Sequence, residues 1–235
     1  MNDGDLQPWR TMPTRSAAFE RFRFSFFEDP DSARQGLDTP ALAGLVGEER
    51  ERAEAMLIAF LPDSRAIIGL GVLGSSKAEP HLAALFEAER SAQRAAKLEP
   101  EASWLPDRLL HLATALWRIR PDRRWPLAAI DVLGSAAEAT ERQEAAEALY
   151  DVRDPGAVQA LVEALDDPEP LVRYHAARGL LAIHGLPAES KDPQHMLHRL
   201  MADEASRREG GKRDVLAAVA AAPASEPADR GGAGT

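Results

Sequence analysis

Apolar residues recur at helical spacing in the segment VQALVEAL, where one face carries Val158, Leu161, Val162 and Leu165. Asp154 and Pro155 stand just before this stripe, as a helix N-cap and a first-turn proline do. A second stripe follows the turn sequence DDPEP and consists of Val172, Ala176, Leu180 and Ile183. The spacing therefore predicts two short helices that form a hairpin, each burying one face.

The same hairpin pattern occurs more than once along the chain. RQEAAEAL, which begins at Arg142, is matched by RYHAARGL, which begins 31 residues later at Arg173. LGVLGSSKAEPHL at 70–82 aligns with LYDVRDPGAVQAL at 149–161, and RLLHLATALW at 108–117 aligns with one extra residue. A hairpin of this size cannot close its own core, so such a period indicates hairpins that stack on their neighbours.

These matched segments resemble HEAT-like repeats, particularly the short type named after phycobilisome lyases. The resemblance runs from about residue 40 to about residue 220, is strongest over Arg142 to Gly185, and is weakest over Ser91 to Trp104, which looks like an insertion. It implies an all-α fold, a right-handed α-α superhelix (HEAT-like α-solenoid) of about five helical hairpins. We place the repeat domain at residues 40–222, after an N-terminal extension at 1–39.

The N-terminal extension contains AAFERFRFSFFEDP at 17–30, which holds five of the seven phenylalanines: Phe19, Phe22, Phe24, Phe26 and Phe27. Alternation at 22, 24 and 26 suits a strand, whereas 19, 22 and 26 suit a helix. We interpret this segment as an atypical cap over the open end of the array, with a partner-binding motif as the alternative. At the other end, residues 223–235 are rich in Ala, Gly and Pro and are predicted to be disordered.

Charge and composition narrow the function classes. The chain has 28 basic and 38 acidic residues, a net charge of −10, which argues against a sequence-independent grip on nucleic acid. It has no cysteine, so disulfides, thiolate nucleophiles and Cys-ligated zinc are excluded. The N-terminal sequence lacks the apolar core of a signal peptide, and no apolar run approaches the ~20 residues that cross a bilayer. A cytoplasmic protein without a membrane segment is expected.

Two short motifs suggest chemistry but have structural explanations. GLGVLG at 69–74 has the spelling of a dinucleotide-binding loop, but its glycines are predicted to lie inside and at the end of a repeat helix. His195 and His198, with Asp192 nearby, lack a clear third metal ligand, and we interpret them as part of a solvated helix that begins after Pro193. We predict no metal site and no cofactor.

Enzymes with similar folds depend on residue patterns that can be sought in this sequence. Deoxyhypusine hydroxylases hold two irons with His-Glu pairs, and none of the six histidines here precedes a glutamate. Alkylpurine DNA glycosylases use a basic, aromatic surface; the residue types are present in Trp104, Trp117, Trp125, Arg118, Arg120, Arg123 and Arg124, but no motif matches. Nothing selects a tetrapyrrole as in bilin lyases. No catalytic residue is assigned.

One column of the repeat carries large side chains where a small residue is common. The position after the core leucine holds Gly71, Trp117, Tyr150 and Leu181 in successive matches, and neighbouring positions add Tyr174 and Arg178. Aromatic residues and arginine are frequent anchors in protein interfaces. We therefore predict a partner-binding face of Trp117, Tyr150, Tyr174, Arg178 and Leu181. The alternative is that the large side chains fill the seam between hairpins.

These observations favour a noncatalytic protein-protein interaction scaffold or regulator. One specific form is an inhibitor or immunity-type protein whose acidic surface masks a basic partner. The alternative is an enzyme of the same fold that acts on nucleic acid or on a tetrapyrrole. A protein partner is expected, nucleic acid and membranes are not, and the oligomeric state is not predicted. The basic stretch Arg207, Arg208, Lys212 and Arg213 around Gly210-Gly211 is predicted to be a solvated turn between two helices, with contact to an acidic partner as the alternative.

Overall fold

The computed structural model describes residues 15–28, 36–98, 106–190, 192 and 194–222. All regular structure in these ranges is helical, without a strand, which confirms the predicted all-α fold of the α-solenoid class. Two compact units are present. The first contains the described residues up to 98 with Thr114–Pro121, and the second contains residues 106–113 and those from Asp122 onward. The predicted disordered tail, 223–235, lies outside the described residues.

Six helices belong wholly or partly to the first unit. They are α1 (Ala17–Arg23), which continues as a π-helical turn at Phe24–Glu28, α2 (Thr39–Ala43), α3 (Gly47–Ala59), α4 (Ser64–Leu73), α5 (Glu79–Leu98) and the C-terminal half of α6 (Asp107–Ile119). α3 packs on α4, and α2 packs on both α1 and α4. The predicted insertion at 91–104 is helical up to Leu98, and its remaining residues lie outside the described ranges.

The second unit stacks helices in chain order. Its elements are the N-terminal part of α6, α7 (Arg124–Ser135), α8 (Ala139–Val152), α9 (Val158–Glu163) with 3-10 turns at Pro155–Ala157 and Ala164–Asp166, α10 (Pro170–Ile183), α11 (Met196–Leu200) and α12 (Ala205–Ala221). α8 packs on α7 and α10, α10 on α9 and α11, and α12 on α10 and α11. From α3 to α12 the described chain contains ten helices, the number that five helical hairpins need, in agreement with the prediction.

The predicted stripes account for much of the buried surface in the hairpin of α9 and α10. Leu161 and Leu165 are buried in the first helix and its terminal turn, and α10 buries its stripe residues Val172, Ala176 and Leu180. Val158, Val162 and Ile183 are only half-buried. The Asp154 carboxylate accepts a hydrogen bond of 2.7 Å from the Gly156 backbone N–H, and Pro155 occupies the first turn, as predicted.

Three arginines close the turns before the second helices of successive hairpins. Arg142, Arg173 and Arg208 are each the fourth residue of their helix, and each guanidinium donates to the two carbonyl oxygens five and six residues earlier. For Arg173 these bonds are 2.8 Å to the carbonyl of Pro168 and 2.7 Å to that of Asp167. The same side-chain contact therefore fixes the turn geometry three times.

Two of these arginines also reach the next hairpin. Arg142 forms a two-pronged ion pair with the Asp167 carboxylate at 2.7 and 3.0 Å, and Arg173 donates from Nε to the carbonyl of Leu200 at 2.8 Å. Burial opposes ionisation of Asp167, but the hydrogen bonds from Arg142 and from the Glu169 backbone lower its pKa overall. Arg173 is itself buried, with its planar donors satisfied by backbone carbonyls.

Small residues set the separation between helices at several crossings. A Cβ added to Gly71 of α4 would lie 2.7 Å from the Ala115 Cα of α6, so only glycine fits at this contact. Gly74 ends α4 in the left-handed conformation at φ 59°. Gly71 and Gly74, two of the three glycines of GLGVLG, therefore have the structural roles predicted from the sequence.

The Phe-rich segment is helical, which excludes the strand interpretation. Phe19, Phe22 and Phe26 lie at helical spacing and are buried, whereas Phe24 is 50% exposed. The Phe26 ring contacts Phe60, at the end of α3, with centroids 5.4 Å apart. The segment thus covers apolar surface in the first unit, while its role as a cap and the domain boundary near residue 40 remain predictions.

The prediction of a solvated turn at Gly210-Gly211 is wrong. Both glycines lie inside α12, and a Cβ on Gly211 would come within 2.8 Å of the Met196 carbonyl oxygen. Glycine is required at position 211 because α12 approaches the backbone of α11 closely there. Lys212 pairs with Asp166 at 2.6 Å, and Arg208 closes its turn.

We predict opposite effects of adding a methyl group at two helical glycines. Gly71→Ala should lower the free energy of unfolding by about 1–3 kcal/mol, because the methyl group would overlap the Ala115 backbone. Gly134→Ala in α7, where the added Cβ meets nothing within 4 Å, should raise it by up to about 1 kcal/mol. Urea unfolding of both variants measures the difference, and equal effects would contradict the close contact.

Removing the Arg173 guanidinium should be costly. Arg173→Gln leaves the Leu200 carbonyl and the two turn carbonyls without their guanidinium donor, and we expect a loss of about 2–4 kcal/mol in the free energy of unfolding. The exposed Arg207, on the same helix as Arg208, provides the matched control, and Arg207→Gln should change the stability by less than about 0.5 kcal/mol. Thermal and urea unfolding compare the two; a loss as small as the control's would contradict the closing role.

Candidate functional site

Three of the predicted face residues come together in the second unit. Tyr150 lies in the last turn of α8, and Tyr174 and Arg178 lie one turn apart on α10. The Arg178 Cζ is 4.3 Å from the centroid of the Tyr150 ring and 5.7 Å from that of Tyr174. A guanidinium against an aromatic face contributes about 0.5–2 kcal/mol. We call these three residues the tyrosine-arginine cluster.

Arg178 is fixed by the chain segment that follows α10. Its Nε donates to the Ala188 carbonyl at 3.3 Å, and Nη2 donates to the Glu189 carboxylate at 3.0 Å. The Arg178 side chain is only 16% exposed, whereas that of Glu189 is 75% exposed. The cluster therefore presents a positioned guanidinium and two rings, with little rotamer freedom left to lose on binding.

A groove of about 300 Å³ opens beside Tyr150. Its lining residues are Tyr150, Arg153, Ala182, Gly185, Leu186, Pro187, Ala188 and Glu189. One wall is the end of α8, and the other is the end of α10 with the segment that Arg178 holds. We call it the Tyr150 groove; most of its lining is apolar or small, with one cation and one anion at its edge.

Arg153 lines this groove and was not recognised from the sequence. It follows α8 with φ 54°, a left-handed conformation unusual for a residue other than glycine, and its N–H donates to the Leu149 carbonyl at 2.9 Å. The exposed guanidinium lies 5.6 Å from the Tyr150 ring centroid. Nothing in the residue pattern distinguishes a left-handed arginine at this position.

His175 lies next to the cluster on α10. The ring is buried, packs edge-on against Tyr174 at 5.2 Å, and places Nε2 3.2 Å from the Glu147 carboxylate. Its Nδ1 has no hydrogen-bond partner in the described chain. Burial lowers the pKa of His175; the Glu147 charge opposes this shift, and the Arg178 charge adds to it.

The repeats in this part of the chain match a known family. The family model of HEAT repeats matches residues 112–212, a range that includes the tyrosine-arginine cluster and the three turn-closing arginines. Residues 112–212 are HEAT-like repeats. HEAT repeats generally mediate protein interactions. No curated protein matches the chain.

Two of the predicted face residues do not join the cluster. Leu181 is 0% exposed, so its assignment to the partner-binding face is wrong. The chain folds back after α10, where the Leu186 N–H donates to the Leu181 carbonyl at 2.8 Å, and α11 packs on α10. Trp117 is half-buried and belongs to the first unit, so its role at a binding face stays a prediction.

Trp125, Arg124 and Arg120, which were considered for a nucleic-acid surface, have structural partners. Trp125 is buried in α7, with the guanidinium of Arg124 over its ring at 4.5 Å. Arg124 pairs with Asp122 at 3.0 Å, and Arg120 pairs with Glu79 at 2.6 Å. Trp104 lies outside the described residues. These contacts neutralise part of the basic stretch that the sequence suggested.

The two histidines considered for metal binding are engaged near the start of α11. His195 accepts a hydrogen bond at Nδ1 from the Leu197 backbone N–H, and His198 Nε2 lies 2.6 Å from the Ser190 carbonyl oxygen. Pro193, taken as the start of this helix, lies outside the described residues. None of the helices in the described ranges combines the length and apolar character that a membrane crossing needs.

We predict that His175 makes the protein less stable as the pH falls. Its folded-state pKa lies below the ordinary value of 6.5, so the unfolded chain takes up the proton first. The stability contribution is complete above about pH 6.5 and decreases as the pH falls from there towards the folded pKa. Urea unfolding between about pH 7.5 and 5.5 should show a steeper decline for wild type than for His175→Gln.

Tyr174→Phe is the control for this measurement. It changes the ring beside His175 and removes no group that titrates near pH 6, so it should keep the wild-type decline. If the free energy of unfolding of His175→Gln fell as steeply with decreasing pH as that of wild type, His175 would not be the group responsible.

Proposed function

We propose that this chain is a noncatalytic protein-interaction module that binds a segment of a partner protein in the Tyr150 groove. The observation that carries the proposal is the positioned guanidinium of Arg178, which lies against two tyrosine rings beside an open groove in a HEAT-like repeat segment. Tyrosine and arginine are enriched among residues that dominate interface energies.

The preformed geometry supports this proposal energetically. Ordering a free, rotamer-rich side chain on binding costs about 0.5–1.5 kcal/mol. Arg178 is already held by Ala188 and Glu189, and Tyr150 lies against its guanidinium. A partner segment therefore contacts side chains that are already ordered in the folded protein, and binding loses little of their conformational entropy.

The groove can be tested by filling it. A random peptide library displayed on phage is selected on the wild-type chain, and enriched peptides are then titrated by fluorescence anisotropy. Ala188→Trp places bulk in the groove and leaves the backbone carbonyl that Arg178 uses, so it should weaken binding by about tenfold or more. Tyr150→Ala should weaken the same peptides.

Ala220→Trp is the matched control, because the same substitution then lies on an exposed position of α12 away from the groove. It should leave the affinity unchanged, and circular dichroism melts should confirm that all variants are folded. Peptides that bind wild type, Ala188→Trp and Tyr150→Ala equally would show that the groove is not the binding site.

A further inference from the structure

Two charged residues line the Tyr150 groove, and only one of them has an ion-pair partner among the described residues. Arg153 and Glu189 are the two charged lining residues, and Glu189 is already paired with Arg178 at 3.0 Å. Arg153 contacts the Tyr150 ring but has no ion-pair partner among the described residues. The groove therefore carries an unpaired guanidinium, although the whole chain has a net charge of −10.

The Arg153 guanidinium lies beside the Tyr150 ring, just after the end of α8. Arg153 ends α8 in the left-handed conformation at φ 54°, with its N–H bonded to the Leu149 carbonyl. This turn carries the side chain back over Tyr150, at 5.6 Å, so that the ring has Arg178 and Arg153 as neighbours. A guanidinium held in this way presents planar donors that suit a carboxylate.

The rest of the lining is apolar or small. Leu186, Pro187, Ala182 and Ala188 form the wall opposite Tyr150. A ligand that satisfies the whole groove combines a negative group for Arg153 with an apolar side chain for Leu186 and Pro187. A basic side chain of a partner would find no unpaired carboxylate in the described lining, because Glu189 is paired with Arg178.

We infer that the Tyr150 groove takes an acidic segment of a partner protein, in which an aspartate or glutamate pairs with Arg153 and an adjacent apolar side chain lies against Leu186 and Pro187. This inference rests on the proposed function and adds the chemistry of the partner. It differs from the expectation drawn from net charge, which was a basic partner. At physiological salt, charges beyond about 8 Å are largely screened, so a guanidinium that lines the groove weighs more for a bound segment than carboxylates outside that range.

The test uses pairs of synthetic peptides with acetylated and amidated ends. One member of each pair carries Asp or Glu beside an apolar residue, as in peptides enriched by the wild-type chain, and the other carries Asn or Gln in its place. Wild type should bind the acidic member about tenfold more tightly, and high salt should reduce the difference. Arg153→Gln should remove the preference and leave the affinity for the amide member unchanged.

Reversing the charge at position 153 provides a more stringent test. Arg153→Glu should reverse the preference, so that a peptide with Lys at the acidic position binds more tightly than its acidic parent. Arg207→Gln, an exposed arginine of α12 far along the chain, is the matched control and should retain the wild-type preference. Because Arg153 is exposed, its variants are expected to fold, and circular dichroism melts check this.

The outcomes separate this inference from the proposed function. Peptides that depend on Ala188 and Tyr150 but show no preference for an acidic residue would overturn the inference and leave the interaction module in place. Peptides that bind with a free C-terminal carboxylate but not with an amidated end would also overturn it. Absence of any groove-dependent binding would remove the proposed function itself.

Other occupants of the groove give different results. A second copy of the chain would produce concentration-dependent dimers in sedimentation velocity that Arg153→Gln abolishes, which would overturn the inference. Acidic peptides that bind only after removal of residues 223–235 would assign the groove to the chain's own terminus, and would overturn it as well. A monomer that binds acidic peptides as the full chain supports it.

Discussion

An arginine at the fourth position of the second helix closes the turn in three successive hairpins, and the packing of the second unit depends on it. Each guanidinium joins its helix to the two carbonyls of the preceding turn, and those of Arg142 and Arg173 also reach the next hairpin. Turn geometry and hairpin stacking are thereby fixed by the same side chain. Because α8 and α10 are held in register, Tyr150 on one helix meets Arg178 on the other.

Much of this architecture was predictable, because it follows from the repeat length and from the spacing of apolar residues along each helix. The offset between Arg142 and Arg173 revealed the repeat before their contacts were known, and the stripe of Leu161 and Leu165 identified the buried face. Gly71 and Gly74 were also correctly placed, the first within α4 and the second at its end. Features that recur in every hairpin are encoded locally, so a single sequence is sufficient to detect them.

The candidate site was only partly predictable, since it depends on contacts that do not recur. Leu181 occupies the same repeat position as Tyr150, yet its side chain is fully buried, on a helix against which α11 and α12 pack. Gly211 resembles a turn residue in composition, but its helix passes close to the Met196 carbonyl. Arg153 has a left-handed backbone that no periodicity marks. In each case the deciding neighbour is distant in sequence or specific to one hairpin.

The segment after α10 has two roles at the Tyr150 groove. Arg178 takes both of its polar contacts from Ala188 and Glu189, so the same short stretch forms one wall of the groove and orients the guanidinium beneath Tyr150. Neither contact involves the turn-closing arginines. If the proposed function is right, changes of length or sequence at 185–190 would alter what the groove binds while the repeat core stays intact, because loops tolerate change better than the helices that they connect.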